Sequence, residues 1–112
     1  NPAGPSLREP NFKLERAADF IREHCTEVLN LDDICAAAQL SPSYLIRAFK
    51  QHYGMTPHAF LVNQRIQFAR ERLRSGQLIA DVALEAGFAD QAHFQRAFKQ
   101  HLAATPGQYR GV

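Results

Sequence analysis

The sequence has few cysteines and no long apolar run. Of its 112 residues only Cys25 and Cys35 are cysteines, and they do not form a CxxC motif. A fold stapled by disulfides is therefore not expected, and the chain suits a reducing cytosol. We find no secretory leader and no apolar run long enough to cross a membrane. We expect a cytoplasmic protein with no membrane partner.

The sequence also lacks the common motifs of metal sites and catalysis. Its five histidines do not occur in an HExxH motif or with the Cys/His spacing of a zinc finger. There is no phosphate-cradling glycine loop, nucleophile elbow or convincing pair of acids. The adjacent Asp32 and Asp33 are better placed to cap a helix N-terminus. We therefore predict no metal, no cofactor and no enzymatic activity.

Charge is nearly balanced overall but unevenly distributed. The 13 Lys and Arg against 11 Asp and Glu give a net charge of only +2, which argues weakly for nucleic acid. Counted by segment, residues 11–41 carry three basic and six acidic residues, residues 42–75 six and one, and residues 76–112 three and three. The middle of the chain is therefore a concentrated basic segment.

No stretch shows the sustained alternation of a strand, so the sequence predicts an all-α fold. Residues 1–11, NPAGPSLREPN, are rich in Pro, Gly and polar residues and predict a linker cut from something longer. A domain at residues 12–112 should follow, beginning with a helix from Phe12 to Leu29. Its apolar stripe consists of Leu14, Ala17, Ala18, Ile21, Cys25 and Val28.

Capping and stop signals place the other helices. Ser41-Pro42 and Thr56-Pro57 are N-cap and first-turn pairs, Asp90 is a further cap, and Gly54 and Gly76 are stops. The predicted segments are 31–38, 42–53, 57–74, 79–86, 90–102 and a short one near Tyr109.

The hexapeptide RAFKQH occurs twice, at residues 47–52 and 96–101, which indicates a duplicated unit. Each unit is a short helix, a tight turn and a second helix, with the first pair at about residues 31–53 and the second at about 79–102. Small residues, Cys35 and Ala83, stand where the paired helices must approach closely. Gly87 suits a left-handed turn, whereas Gln39 at the equivalent position predicts a first turn that is looser or differently shaped.

The second helix of each unit presents a polar outer face opposite its apolar stripe. Arg and Gln can form bidentate pairs with base edges, and small apolar groups can meet the thymine methyl. Lys is better suited to phosphates. We therefore expect Lys50 and Lys99 to contact phosphates, and also Arg65 in the middle of the helix at 57–74. The first outer face contains Ser43, Ile46, Arg47 and Lys50; the second contains Ala92, Gln95, Arg96 and Lys99, with Gln91 and His93 near the helix start.

These features resemble the DNA-binding domain of AraC/XylS-family bacterial transcription regulators. The resemblance covers about residues 12–110 and is most specific in GFADQAHFQRAFKQHLAATPGQYR. It implies about seven helices, with two helix-turn-helix subdomains bridged by the helix at 57–74 and two recognition helices in successive major-groove segments. The implied base readers are Ser43, Ile46 and Arg47 in the first unit, and Gln91, Ala92, His93, Gln95 and Arg96 in the second.

The resemblance further implies double-stranded DNA as the partner, an activating role, and an N-terminal sensor or dimerisation domain missing from this chain. RNA polymerase is the expected partner of the intact regulator. The alternative is a helical protein-interaction module without sequence-specific DNA binding, in which the repeat is only architectural. Arg47 and Arg96 would then be ordinary surface charges.

Overall fold

The computed structural model describes the backbone of residues 3–110 and the side chains of residues 11–110. The described part contains seven helices and no strand, which confirms the all-α prediction. They are α1 (Ala3–His24), α2 (Leu31–Ala38), α3 (Pro42–Tyr53), α4 (Pro57–Arg74), α5 (Ile79–Glu85), α6 (Gln91–Leu102) and α7 (Pro106–Arg110).

Local capping explains why several helices begin where they do. Asn30 and Asp33 form a reciprocal capping box at the start of α2, with distances of 2.9 and 3.2 Å between side-chain oxygen and backbone nitrogen. Ser41 and Asp90 accept from the backbone N–H three residues later at the starts of α3 and α6. These bonds satisfy amides that have no partner within the helix.

The bounds of α1 differ from the prediction at both ends. The helix begins at Ala3, so residues 3–11 of the predicted linker are helical. Pro5 lies in the first turn, where the missing N–H is not needed. The helix ends at His24 rather than Leu29, and Val28 is 98% exposed instead of lining the apolar stripe.

Tertiary contacts divide the chain into two compact units. The first contains α1, α2, α3 and the start of α4, up to Leu61. In it, α1 packs on α2 and α3, and the Phe49 and Phe60 ring centroids lie 5.4 Å apart. The buried apolar residues of this unit are Leu14, Ala17, Ala18, Ile21, Ile34, Cys35, Ala38, Leu45, Phe49, Phe60 and Leu61.

The second unit contains the connection Cys25–Val28, the rest of α4, and α5, α6 and α7. Its aromatic core includes Phe94 and Phe98, whose ring centroids are 5.5 Å apart. The core cluster consists of Val62, Ile66, Ala69, Leu73, Val82, Ala83, Ala86, Phe88, Phe94, Ala97 and Phe98. Each helix-turn-helix pair thus has a separate core behind its second helix.

The turn of each helix pair has a left-handed residue at the expected place. Gly87 has φ +98°, and Gln39 has φ 58° and ψ 47°. The first turn is therefore not looser, because Gln39 adopts a conformation that costs an L-residue about 1–2 kcal/mol. It does differ in one bond, since the Gln39 N–H donates to the Cys35 carbonyl and the Gly87 N–H to the Leu84 carbonyl.

The same hydrogen bond closes both turns. Leu40 N–H donates to the Cys35 carbonyl at 3.1 Å, and Phe88 N–H donates to the Ala83 carbonyl at 3.1 Å. Cys35 and Ala83 are both buried, at 8% and 0% exposure. The predicted small residues therefore lie where the two helices of each pair approach.

Candidate nucleic-acid interface

Helix α3 buries one side and exposes the other. Leu45 and Phe49 are fully buried, which fixes the rotation of the helix about its axis. The outer face of α3, defined by Ser43, Ile46, Arg47 and Lys50, is exposed at all four positions. Ile46 is 42% exposed even though it is apolar. A hydrophobic group is thus presented to solvent between two cations and a hydroxyl.

Helix α6 is arranged in the same way. Phe94 and Phe98 are fully buried and Ala97 is 6% exposed. The outer face of α6, which consists of Ala92, Gln95, Arg96 and Lys99 together with Gln91 and His93 from the helix start, is exposed at every position. All eight residues predicted from the sequence to read bases are therefore exposed on one of these two faces.

The side-chain cap at the start of α6 is shorter than the one at the start of α3. Asp90 accepts a 2.8 Å hydrogen bond from the His93 backbone N–H, whereas the equivalent bond from Tyr44 to Ser41 measures 3.4 Å. The His93 ring also lies edge-on to Phe88, with centroids 5.3 Å apart and an interplanar angle of 89°. This ring contact joins two elements and was not predicted.

Much of the positive charge on α4 is used within the second unit. Arg70 Nε donates to the Tyr109 hydroxyl at 2.9 Å. The Arg72 guanidinium lies 4.6 Å from the Phe68 ring centroid. The number of basic residues in the middle of the chain therefore overstates the number of cations without internal contacts.

Four cations of the repeated hexapeptide stand apart from this pattern. Within residues 11–110, no hydrogen bond, ion pair or ring contact engages the side chains of Arg47, Lys50, Arg96 or Lys99. All four side chains are exposed, and they occupy equivalent positions of α3 and α6. This arrangement can bind an anionic partner without first breaking internal contacts.

Arg65, predicted from the sequence to contact phosphate, is held by backbone carbonyls. Its Nε donates to the Cys25 carbonyl at 2.6 Å and its Nη2 to the Glu27 carbonyl at 3.0 Å. The side chain is partly buried, and this burial lowers the pKa of the guanidinium. Two of its donors are therefore committed to the chain itself, which sequence reasoning missed.

Burial sets the chemistry of the two thiols. Cys25 and Cys35 are free and buried, and burial raises the pKa of both; the charge of Arg65 partly opposes this at Cys25. A raised pKa disfavours the reactive thiolate. Among the described residues no three His, Cys, Asp or Glu side chains are grouped as metal ligands would be. None of the described helices is both long and apolar enough to span a membrane.

This geometry agrees with comparisons to known proteins. Residues 34–111 match the helix-turn-helix domain family. The class of protein is therefore a helix-turn-helix DNA-binding domain of a transcriptional regulator. Within that class, the chain belongs to the AraC type.

Individual relatives show the extent of the similarity. The transcriptional regulator MtrA of Neisseria gonorrhoeae is 40% identical over 82 residues, which are 72% of this chain and 27% of MtrA. An AraC-type regulator structure from Chromobacterium violaceum is 29% identical, with a TM-score of 0.84 over 90% of this chain and 91% of that one.

A third similar structure contains DNA. The DNA-binding domain of the transcriptional factor AdpA, solved with a target DNA, is 25% identical; the TM-score is 0.81 over 88% of this chain and 89% of that one. This chain spans between 13% and 33% of the length of eight curated relatives with similar sequences.

Proposed function

We propose that this domain binds double-stranded DNA sequence-specifically, with α3 and α6 as recognition helices in successive major-groove segments. The observation that carries the proposal is the pair of equivalent outer faces whose cations are unengaged among the described residues. A solvated surface could explain one such face. Two copies at matched positions of a helix-turn-helix repeat favour a shared ligand with a repeating structure, which DNA has.

The side chains on the two faces can distinguish bases. Arg47 and Arg96 can each pair with the O6 and N7 of guanine through two N–H donors, and Gln91 and Gln95 can pair with adenine. Ile46 and Ala92 offer methyl groups that suit the thymine methyl, while the hydroxyl of Ser43 and the ring of His93 complete the two faces. The faces differ in composition, so the two halves of the DNA site should differ as well.

Lys50 and Lys99 are proposed to contact phosphates. Each lies three residues after its arginine and is exposed on the same outer face. A flexible ammonium acts as a point charge, which suits the phosphate backbone better than base recognition. Arg65 is left out of this set, because two of its donors already bind backbone carbonyls.

The wider role follows from the family. We infer a bacterial, cytoplasmic regulator, acting as an activator through RNA polymerase, with a sensor or dimerisation domain elsewhere in the intact protein. The length of curated relatives supports the further domain, since this chain spans about 27% of MtrA and 33% of the regulatory protein PocR. These functions depend on parts of the regulator beyond this domain.

The test is selection from random double-stranded DNA with the 112-residue chain, followed by titration of the selected site and a scrambled version at two salt concentrations. We expect tight binding to the selected site and weaker, more salt-sensitive binding to the scrambled one. The protein-interaction alternative predicts that no sequence is enriched and that both DNAs bind equally or not at all. Any of these results would contradict the proposed function.

A further inference from the structure

Arg65 joins α4 to two other segments of the second unit. Its two hydrogen bonds fix the connection that follows α1, at the carbonyls of Cys25 and Glu27. Its Cζ atom also lies 5.9 Å from the centre of the Phe88 ring. One side chain therefore contacts both the Cys25–Val28 connection and the turn that precedes α6.

Gly87 allows this close approach. A Cβ atom at Gly87 would lie 3.0 Å from Arg65 Nε and 3.0 Å from the Thr26 carbonyl oxygen. Such distances are too short for a real methyl group without movement of its neighbours. The turn, the guanidinium and the connecting backbone thus pack against one another directly.

Phe88 lies between Arg65 and the start of α6 and contacts both. The residue is 3% exposed, and its ring lies 5.3 Å from that of His93 and 5.2 Å from that of Phe94. His93 belongs to the outer face of α6, and Phe94 anchors the opposite side. The ring therefore touches both sides of the first turn of the helix.

We infer that Arg65 is a positioning residue for base recognition by α6. By holding the turn at Gly87 and Phe88, it fixes the direction in which the first turn of α6 presents Gln91 and His93. The inference rests on the proposed function, since it assigns a consequence for base reading. All the described contacts of Arg65 lie in the second unit, so its effect falls on the half of the site that α6 reads.

The experiment measures base preference in Arg65→Met and Arg65→Lys, using a panel of single-base-pair variants of the site selected by the wild-type chain. Met fills a similar space without donors, whereas Lys keeps a donor but lacks the planar fork. Arg65→Met should lose about tenfold in discrimination at base pairs near the one affected by Arg96→Ala. In the same variant, discrimination at the base pairs affected by Arg47→Ala should remain. Arg65→Lys should lose less discrimination than Arg65→Met.

Arg72→Met is the matched control. Arg72 lies on the same helix and contacts a phenylalanine ring, but it is exposed and makes no described hydrogen bond to a backbone carbonyl. It should change preference in neither half. If Arg65→Met does not fold, Arg65→Gln takes its place: its shorter side chain cannot make both carbonyl bonds, and it should relax the same half of the site.

Three results would overturn the inference. The first is a slope of log K against log[salt] that is smaller by about 0.9 in Arg65→Met while base preferences stay intact. That result would make Arg65 a phosphate contact. The second is an equal loss in both halves, as expected from reduced stability alone. The third is intact second-half preference in a folded Arg65→Met, or in Arg65→Gln where the former does not fold.

Hydrogen exchange separates this inference from the proposed function. The amides of Leu45 and Phe94 are repeat-equivalent and donate to Ser41 and Asp90 at 2.9 and 3.2 Å. In the free domain, Arg65→Met, or Arg65→Gln in its place, should speed exchange at Phe94 severalfold and leave Leu45 unchanged. If wild type selects no DNA, the proposed function fails and this comparison still decides whether Arg65 positions α6. Unchanged exchange at Phe94 would contradict that role.

Discussion

At the scale of single residues, Gly54 and Gly87 have similar backbone angles in different surroundings. Both have positive φ, +80° and +98°, which favours glycine in each case. A Cβ at Gly54 would meet nothing within 4 Å, whereas one at Gly87 would meet Arg65 and the carbonyls of Cys25 and Thr26. Only Gly87 is therefore required by packing as well as by conformation.

Replacing each glycine by alanine separates the two requirements. Gly54→Ala should cost about 1–2 kcal/mol, the penalty for a left-handed L-residue. Gly87→Ala should cost about 1–3 kcal/mol more, because the new methyl group overpacks against backbone atoms that cannot move freely. Urea unfolding measures both losses. Equal losses would show that the contacts around Gly87 yield without cost.

The two lysines of the repeated hexapeptide give a second prediction at this scale. Lys50→Ala and Lys99→Ala should each weaken binding similarly on selected and scrambled DNA, and each should flatten log K against log[salt] by about 0.9. Lys13→Ala, on α1 and outside both outer faces, is the control and should leave the slope unchanged. Parental slopes in the Lys50 and Lys99 variants would place these residues outside the interface.

At the scale of elements, most helix bounds follow from local chemistry. Ser41-Pro42 and Gly54 mark α3, and Asp90 marks the start of α6, as the sequence predicted. Such caps act within about four residues, so they can be recognised without knowledge of the fold. The periodic apolar residues likewise identify the buried sides of α3 and α6, because their rotation is set by the core.

Elements that depend on distant contacts were predicted less well. The end of α1 was missed because the carbonyls of Cys25 and Glu27 bind Arg65, which lies 40 and 38 residues away. For the same reason Arg65 was predicted to contact phosphate, since its two carbonyl partners could not be recognised from the sequence. The sequence does contain one signal of this contact, because a glycine at position 87 is compatible with close packing. It does not show which residue packs against the glycine.

The turn of the first helix pair gives a prediction about stability. Gln39 occupies a left-handed conformation that glycine adopts more readily. Gln39→Gly should raise the free energy of unfolding by about 0.5–1 kcal/mol, since the relief of strain exceeds the added entropy of the unfolded chain. Gln39→Ala keeps the strain and is the control. A destabilised Gln39→Gly would mean that the glutamine side chain stabilises the turn.

At the scale of the whole molecule, one chain contains two versions of the same unit. The exposed residues differ between them, with Ser43 and Ile46 on α3 against Ala92 and Gln95 on α6. A symmetric dimer would read two identical half-sites, whereas these two faces should read an asymmetric site. We therefore expect the duplication within the chain to take the place of the two subunits of a dimeric helix-turn-helix protein.

This gives a prediction about stoichiometry. One chain should occupy one asymmetric site and protect two major-groove segments whose centres lie about 34 Å apart along the DNA. Footprinting at saturating protein, with the mass of the complex measured in parallel, checks both points. A single protected groove, or a palindromic site filled by two chains, would contradict it.

The central claim is that each outer face reads its own part of the DNA, and the arginines of the repeated hexapeptide test it most directly. Binding of Arg47→Ala and Arg96→Ala should be measured on every single-base-pair variant of the selected site. We expect each variant to lose about 1–3 kcal/mol of discrimination at a different base pair, one in each half, with much smaller losses on scrambled DNA. If both variants keep the parental preferences and lose only overall affinity, the arginines hold phosphates and the account of base reading is wrong.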